Sequence, residues 1–395
     1  MHARTPVVIA LALLSLAIAG SAAEPAAPQA KTASLQPRVL TLAGTWIDGA
    51  ATIASGSLSV GGQAIPLDRI IALEFPANPP PSSVDRAVAL QNGDVLTGSV
   101  QSLQSSKLQF LSDSLGAITI AIADVRSLSF RPQRLSDLGR GSFQGVHLVN
   151  GDRIAGRIEW INDELIGIDT GKRIQKVPIR SALLWSAAAS AKAPGRQCVR
   201  LANGDRLSGT VQALDAEKLQ LQGTIGGDAA IPAARVSALW SEGAVLVPLS
   251  TLPPAESKQV PQFDESFPPT SDRDRSGSFL TCGDHRYERG LGCHARCEMT
   301  WDLAGAYATL VGELGLDDRA GERGLATITI TADGAVVFES GPIAHGQAPL
   351  PLSVSLAGAK RLQLVVDFGP DGSSLGDAVD FGWAVLVKSR ADAPH

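Results

Sequence analysis

Sulfur and aromatic rings are scarce in this sequence: its 395 residues include 4 Cys, 2 Met and 2 Tyr, and aromatics make up 5%. Four cysteines are too few to staple a chain of this length, so its cores must come from apolar packing. No charge sign dominates. The formal net charge is -5 and no basic stripe runs along the chain, which argues against a nucleic-acid binder. Beyond the first residues, no segment has the roughly 18 consecutive apolar residues that a membrane-spanning helix needs. Also missing are the nucleophile elbow, the phosphate-binding glycine loop, the His-Glu-x-x-His zinc helix and the dinucleotide fingerprint. Paired carboxylates are the hydrolytic arrangement left open, because they need only meet in space.

What the chain has in quantity is glycine and proline, 40 and 24 residues, within a composition that is 44% apolar and 18% charged. That balance fits folded material built from many short strands and turns, enough for roughly two to four domains. The first residues read as an export signal spanning residues 1–23. His2 and Arg4 precede an apolar run from Val7 to Ala19, and Ser21-Ala22-Ala23 offers small residues to a signal peptidase. An uncleaved N-terminal anchor is the alternative. Glu24 to Pro37, rich in Ala and Pro, reads as a loose mature N-terminus. The expected location is therefore periplasmic, cell-surface or extracellular, with no transmembrane segment after cleavage.

An internal repeat is the strongest signal. Val88-Ala-Leu-Gln-Asn-Gly-Asp94 returns as Val146-His-Leu-Val-Asn-Gly-Asp152 and as Val199-Arg-Leu-Ala-Asn-Gly-Asp205. Each copy is followed by an apolar-polar alternation that holds Gly98, Gly156 or Gly209. Alternation marks strands with one buried face, and Asn-Gly supplies the positive φ of a tight hairpin. A three-residue turn at Asn203-Gly204-Asp205, with a bulge, would pair Leu201 with Leu207 and set Val199 opposite Gly209. Asp94, Asp152 and Asp205 are read as caps of turn amides rather than catalytic acids, because no partner base recurs with them. Four or five short strands in about 45 residues resemble a small SH3-like or Sm-like barrel.

The expected barrels span 84–131, 141–186 and 196–241, with a degenerate copy over 40–75 that lacks Asn-Gly-Asp. Trp185 and Trp240 hold equivalent positions, with Phe130 in the first full copy, and are read as core or inter-repeat packing. Trp160 has no aromatic counterpart and is freer for a surface role; His147 reads as solvent-facing. The stretches 76–83, 131–141, 187–195 and 252–270 read as connectors with little to bury.

After residue 257 the texture changes. Tyr287-Glu-Arg-Gly-Leu-Gly-Cys-His294, Met299-Thr-Trp-Asp-Leu303, Val311-Gly-Glu-Leu-Gly-Leu-Asp-Asp318, Ala332-Asp-Gly-Ala-Val-Val-Phe338 and Gly376-Asp-Ala-Val-Asp-Phe-Gly-Trp383 follow one another in order. In this stretch, 257–392, the sequence resembles the NPCBM/NEW2 family of carbohydrate-binding modules. The resemblance implies a jelly-roll-like β-sandwich of the kind attached to secreted glycoside hydrolases and other exported proteins. Two positions depart from the family pattern: Ala378 stands where the family tends to have His, and Phe381 where it tends to have Trp. Asp333-Gly334 is a hairpin turn between short β-prone runs. The fold expected for the whole chain is thus all-β, with tandem small SH3-like barrels followed by a sandwich.

A sugar needs aromatic rings for its CH face and polar partners for its hydroxyls, and Tyr287, His294, Asp380 and Trp383 are the set expected to supply them. Trp301 and Tyr307 read as core, and Trp383 is open to both readings because it alternates with Phe381. Asp317 and Asp318 are read as a turn cap, with calcium as the alternative; no other cofactor is expected. Cys282, Cys293 and Cys297, with His285 and His294, have zinc-like spacing. A disulfide of Cys282 with Cys293 or Cys297 is preferred, since residues 293 and 297 on one strand would lie about 13 Å apart. Cys198 reads as buried in its repeat. The leading expectation is a non-catalytic exported protein whose C-terminal module binds a glycan while the repeats act as spacer or docking surface. An envelope scaffold that binds another protein is second, and a hydrolase with an unrecognised site third.

Overall fold

The structure is a computed structural model that describes residues 36–190, 197–243, 245–262 and 265–389; the expected export signal lies outside the described residues. Those residues form strands and single-turn 3-10 segments, and no α-helix occurs among them. The all-β expectation holds. Alternation builds the strands as anticipated: along Lys107–Ser112, Leu108, Phe110 and Ser112 point inward while Lys107, Gln109 and Leu111 face out.

Four repeated units fill the first two thirds. In the second, Ala87–Leu90 pairs with both Val95–Gln104 and the closing strand Val125–Ser129. Val95–Gln104 continues into a meander with Lys107–Ser112 and Gly116–Ala121. The long strand bends at Gly98, whose φ is +143° and where a Cβ would fall 2.1 Å from the Leu111 carbonyl oxygen. Only glycine allows one strand to serve both small sheets there.

These units are not the closed barrels that the sequence suggested. Each closing strand turns outward and pairs with that of another unit, Leu128 opposite Trp185 and Leu239 opposite Leu73. A unit this small has too little interior to be self-sufficient, and pairing its edge with a neighbour satisfies backbone groups that would otherwise be exposed. One apolar core consequently runs through all four units, from Val39 to Leu239. Trp185, Trp240 and Phe130 are buried in or between units as expected, whereas Trp160 is half-buried against Gly167. His147 is half-buried as well, its ring edge-on to Phe143.

The hairpin register differs from the expected one. Val199, not Leu201, lies opposite Leu207, and Gln197 lies opposite Gly209. The turn residues are Ala202-Asn203-Gly204, closed by the Leu201 N–H donating to the Asp205 carbonyl at 2.8 Å. Gly204, at φ +97°, supplies the positive angle one residue before Asp205, so Asp205 already starts the return strand. The capping roles are reversed too. The Asn side chains accept from the Asp amides, Asn92 from Asp94 at 2.9 Å and Asn150 from Asp152 at 3.1 Å. Asp205 instead reaches across to the Thr97 amide at 2.5 Å, while Asn203 donates to Thr97 Oγ1 and Asn92 to Ser208 Oγ. The hairpins of the second and fourth units thus clasp each other reciprocally.

The C-terminal module is a two-sheet sandwich. One sheet holds Thr270–Ser271, Gly290–His294, Ala378–Lys388, Tyr307–Leu316 and Leu350–Ser355, with Leu246–Pro248 also on Ala378–Lys388. The other holds Glu256–Gln259, Cys297–Asp302, Arg361–Phe368, Leu325–Ala332 and Ala335–Ala344. The module therefore begins at Leu246, ahead of the boundary read from the sequence, and takes a strand from the stretch read as a connector. Residues 131–141 also bury more than their composition suggested: Leu135 and Leu138 pack with Val84 against Phe279 of the module.

Ala378–Lys388 is buried on both faces. Val379, Phe381, Ala384 and Leu386 enter the sandwich core, while Trp383, Val385 and Val387 join Leu40, Ile71 and Trp240 in a cluster shared with the repeats. The switch occurs at a bulge where Trp383 takes φ +48° and follows Gly382 on the outer face. From there the Trp383 indole N–H donates to Glu74 Oε1 of the repeats at 2.6 Å. Arg38 donates to the other Glu74 oxygen from Nε at 2.7 Å and from Nη2. Burial pushes the Glu74 carboxyl above its ordinary range, opposed by Arg38 and by the indole bond.

Removing the indole donor by Trp383→Phe leaves a buried carboxylate oxygen without its partner. It should cost about 1–3 kcal/mol in urea unfolding, against under about 1 kcal/mol for Trp160→Phe at its half-buried site. Equal costs would show that the indole bond is incidental.

Candidate ligand-binding site

A cavity of about 300 Å³ opens at one end of the sandwich, between residues 259–262, 265–276, 294–295, 317–321 and 374–378. Phe267 and His294 form its aromatic corner. Their rings lie 4.8 Å apart, and the Arg275 guanidinium sits 4.3 Å over the Phe267 ring. His294 Nδ1 donates to the Ala295 carbonyl at 2.9 Å, which leaves Nε2 as an acceptor. Burial holds the imidazole below its ordinary pKa, partly offset by that bond, so it stays neutral near pH 7. Gln259 and Gln262 hold the opposite wall. Gln259 accepts from the Phe267 amide at 3.0 Å, and Gln262 accepts from the Ser374 amide at 2.6 Å.

One wall of the cavity carries a carboxyl group network, with Asp274 and Asp317 on the lining and Asp380 behind them. Asp274 accepts from Ser276 Oγ, the Ser278 amide and Arg319 Nη1. Asp317 shares a hydrogen bond with the fully buried Asp380, which also accepts from the Thr281 amide at 2.8 Å. Burial pushes Asp317 up to about 6, and burial together with Asp317 pushes Asp380 well above the carboxylate range. Two carboxyls that share a proton are not the separated acid and nucleophile, roughly 5–10 Å apart, of a glycosidase. The turn-cap reading of this segment holds. Asp317 accepts from the Arg319 amide at 2.5 Å, and Asp318 from the Gly283 and Asp284 amides at 2.6 and 3.1 Å. Among the described residues no three His, Cys, Asp or Glu side chains converge to hold a metal ion.

The four residues expected to form a sugar site are not gathered in one place. His294 lines the cavity, and Asp380 stands behind its wall. Tyr287 and Trp383 lie on the outer face of the sheet, turned toward the repeats and excluded from solvent. Tyr287 lies flat on Gly382 and donates to Glu313 Oε2 at 2.9 Å. Phe267, Gln259 and Gln262 escaped the sequence reading because they fall in the stretch taken for a connector; aromatic residues among its prolines were the available signal. Of the two departures from the family pattern, Ala378 faces the cavity opposite His294, and Phe381 is core.

No disulfide joins the four cysteines. Cys282 packs on the outer face against Gly315, while Cys293 and Cys297 lie in the sandwich core. The sheet separates Cys282 from both. The chain turns after His294 and enters the second sheet at Cys297, so Cys293 and Cys297 meet side by side with a shared hydrogen bond instead of standing apart on one strand.

Residues 246–387 match the sequence profile of the NPCBM/NEW2 domain. The resemblance to that family is thus confined to the C-terminal third of the chain. Comparison with curated protein sequences gave no match. Among solved structures, the chain is similar to a CBM51 module from Clostridium perfringens GH95 in complex with methyl-galactose. The identity is 27%, over 36% of this chain and 99% of that one, with a TM-score of 0.33. It is also similar to the tandem CBM51 modules of a family 98 glycoside hydrolase from Streptococcus pneumoniae, at 11% identity over 86% and 88% of the two chains and a TM-score of 0.33.

Asp317 gives this module a pH signature. Its carboxyl titrates near 6 in the fold against an ordinary 3.8. The stability it contributes is complete below the lower value and is lost as pH rises through the upper one. Asp317→Asn removes that loss, so its Tm advantage over the wild type should grow between about pH 4 and about pH 7, by the equivalent of roughly 1–3 kcal/mol. A difference in calorimetric Tm that stays constant over that range would contradict the shared-proton pair.

Proposed function

We propose that this is an exported, non-catalytic protein whose NPCBM/NEW2 domain binds a glycan in the cavity beside His294, with the repeats as a fused platform. The observation that carries the reading is the coincidence of the matched domain with a cavity of monosaccharide size. That cavity offers an aromatic face at Phe267, an acceptor at His294 Nε2 and donors at Arg275 and Arg319. Export rests on the first 23 residues, with their apolar run and small residues at the cleavage position.

One observation favours a second reading, an envelope scaffold that binds another protein. Trp383 is consumed by the junction with Glu74, so the largest aromatic ring of the closing strand is withheld from any ligand. The two readings separate on an array of plant, microbial and animal glycans probed with the mature chain. The glycan reading expects saturable binding that falls at least about tenfold in His294→Ala and in Phe267→Ala, with Trp160→Phe unchanged. A folded chain that binds nothing on the array would shift the case to the scaffold.

A further inference from the structure

A second cavity, also of about 300 Å³, lies on the seam between the repeats and the module. Arg126, Arg140, Arg200, Arg206, Arg273 and Arg289 line it, and the carboxylates on the same wall are Asp272 and Glu288. Asp137 and Glu242 bond these arginines from behind. Arginines outnumber carboxylates even so. All but Arg140 are more than nine-tenths buried.

Two of the buried arginines are committed. Arg200 donates to Glu288 and to the Gly204 carbonyl, and Arg289 to Glu242 and Asp272. The other three have donors to spare. Arg126 Nη1, Arg206 Nε, and Arg273 Nε and Nη2 meet no acceptor among the described residues. Leaving a buried guanidinium N–H unmatched is costly, and an oxyanion is the group that accepts several such donors at once. Arg140, at the rim, senses the same field: burial, then the charges of Arg273 and Arg289, lower its pKa.

We propose that this seam binds an oxyanion, as free sulfate or phosphate or as an anionic group on a saccharide. Because Arg126 and Arg206 belong to the repeats and Arg273 to the module, an oxyanion held there fastens one to the other. The site is separate from the cavity beside His294 and stands or falls independently of glycan binding there.

The test is thermal stability and calorimetric titration of the mature chain with sodium sulfate and with sodium phosphate, each matched in ionic strength by sodium chloride. Glucose 6-sulfate is compared with glucose. Sulfate stabilises folded proteins generally, so the variants decide. The proposal expects saturable binding of sulfate or phosphate, weakened about tenfold by Arg140→Gln and abolished by Arg126→Gln. Arg140 sits at the rim with a single bond to the Ser271 carbonyl, so its variant remains informative if Arg126→Gln does not fold. Tighter binding of glucose 6-sulfate than of sulfate assigns the anion to a saccharide; equal binding assigns it to the free ion. No saturable binding, or an identical response in wild type and Arg140→Gln, overturns the proposal.

Discussion

The fold turns on one buried carboxylate. Glu74 ends the closing strand of the first unit, inside the protein, and a carboxylate there is tolerable only if every oxygen is matched. Arg38 matches one oxygen from within the same unit, and Trp383 matches the other from the module. The second match dictates local geometry. The closing strand of the module must bulge at Gly382 and Trp383 to turn the indole out of the sandwich, and its outer face must then be apolar enough to meet Leu40, Ile71 and Trp240. Tyr287, Glu313 and His285 extend the same network around Arg38. Repeats and module are consequently one packed body over the described residues rather than beads on a string.

That constraint also sorts the functional surfaces. With its outer sheet face spent on the junction, the module keeps the end of the sandwich for a ligand, where loops and strand ends supply the groups. Phe267 and Arg275 come from the loops on either side of Thr270–Ser271, while Gln259 and His294 stand at the ends of the strands Glu256–Gln259 and Gly290–His294. The seam itself is polar where the apolar cluster stops. Six arginines gather there because the repeats and the module each bring charged edges to the boundary.

Much of the architecture was legible in the sequence because its physics is local. Alternation marked the strands, the recurrent Asn-Gly marked the hairpins, and the order of motifs after residue 257 marked the sandwich. What failed was whatever depends on a neighbour. The outward pairing of the closing strands carries no local signature, so Leu128 and Trp185 looked like residues of separate closed barrels. The Asn-Gly-Asp register slipped because the turn is Ala202-Asn203-Gly204 rather than Asn203-Gly204-Asp205, which leaves the Asp205 carboxylate to serve another unit. Of the four site residues, His294 was placed at a cavity. Tyr287 and Trp383 have the chemistry of a sugar platform, but Glu313 and Glu74, remote in sequence, claim their polar ends. The cysteine pairing failed for the same reason, since a sheet lies between Cys282 and the other two.

Native-state hydrogen exchange of the protein, followed by mass spectrometry over Ile70–Glu74 and Ala378–Lys388 as denaturant is raised, tests the shared junction most directly. If Glu74 and Trp383 bind repeats and module into one cooperative body, the two segments share a single opening free energy and lose protection together. Loss of protection in Ile70–Glu74 at denaturant concentrations that leave Ala378–Lys388 fully protected would contradict it.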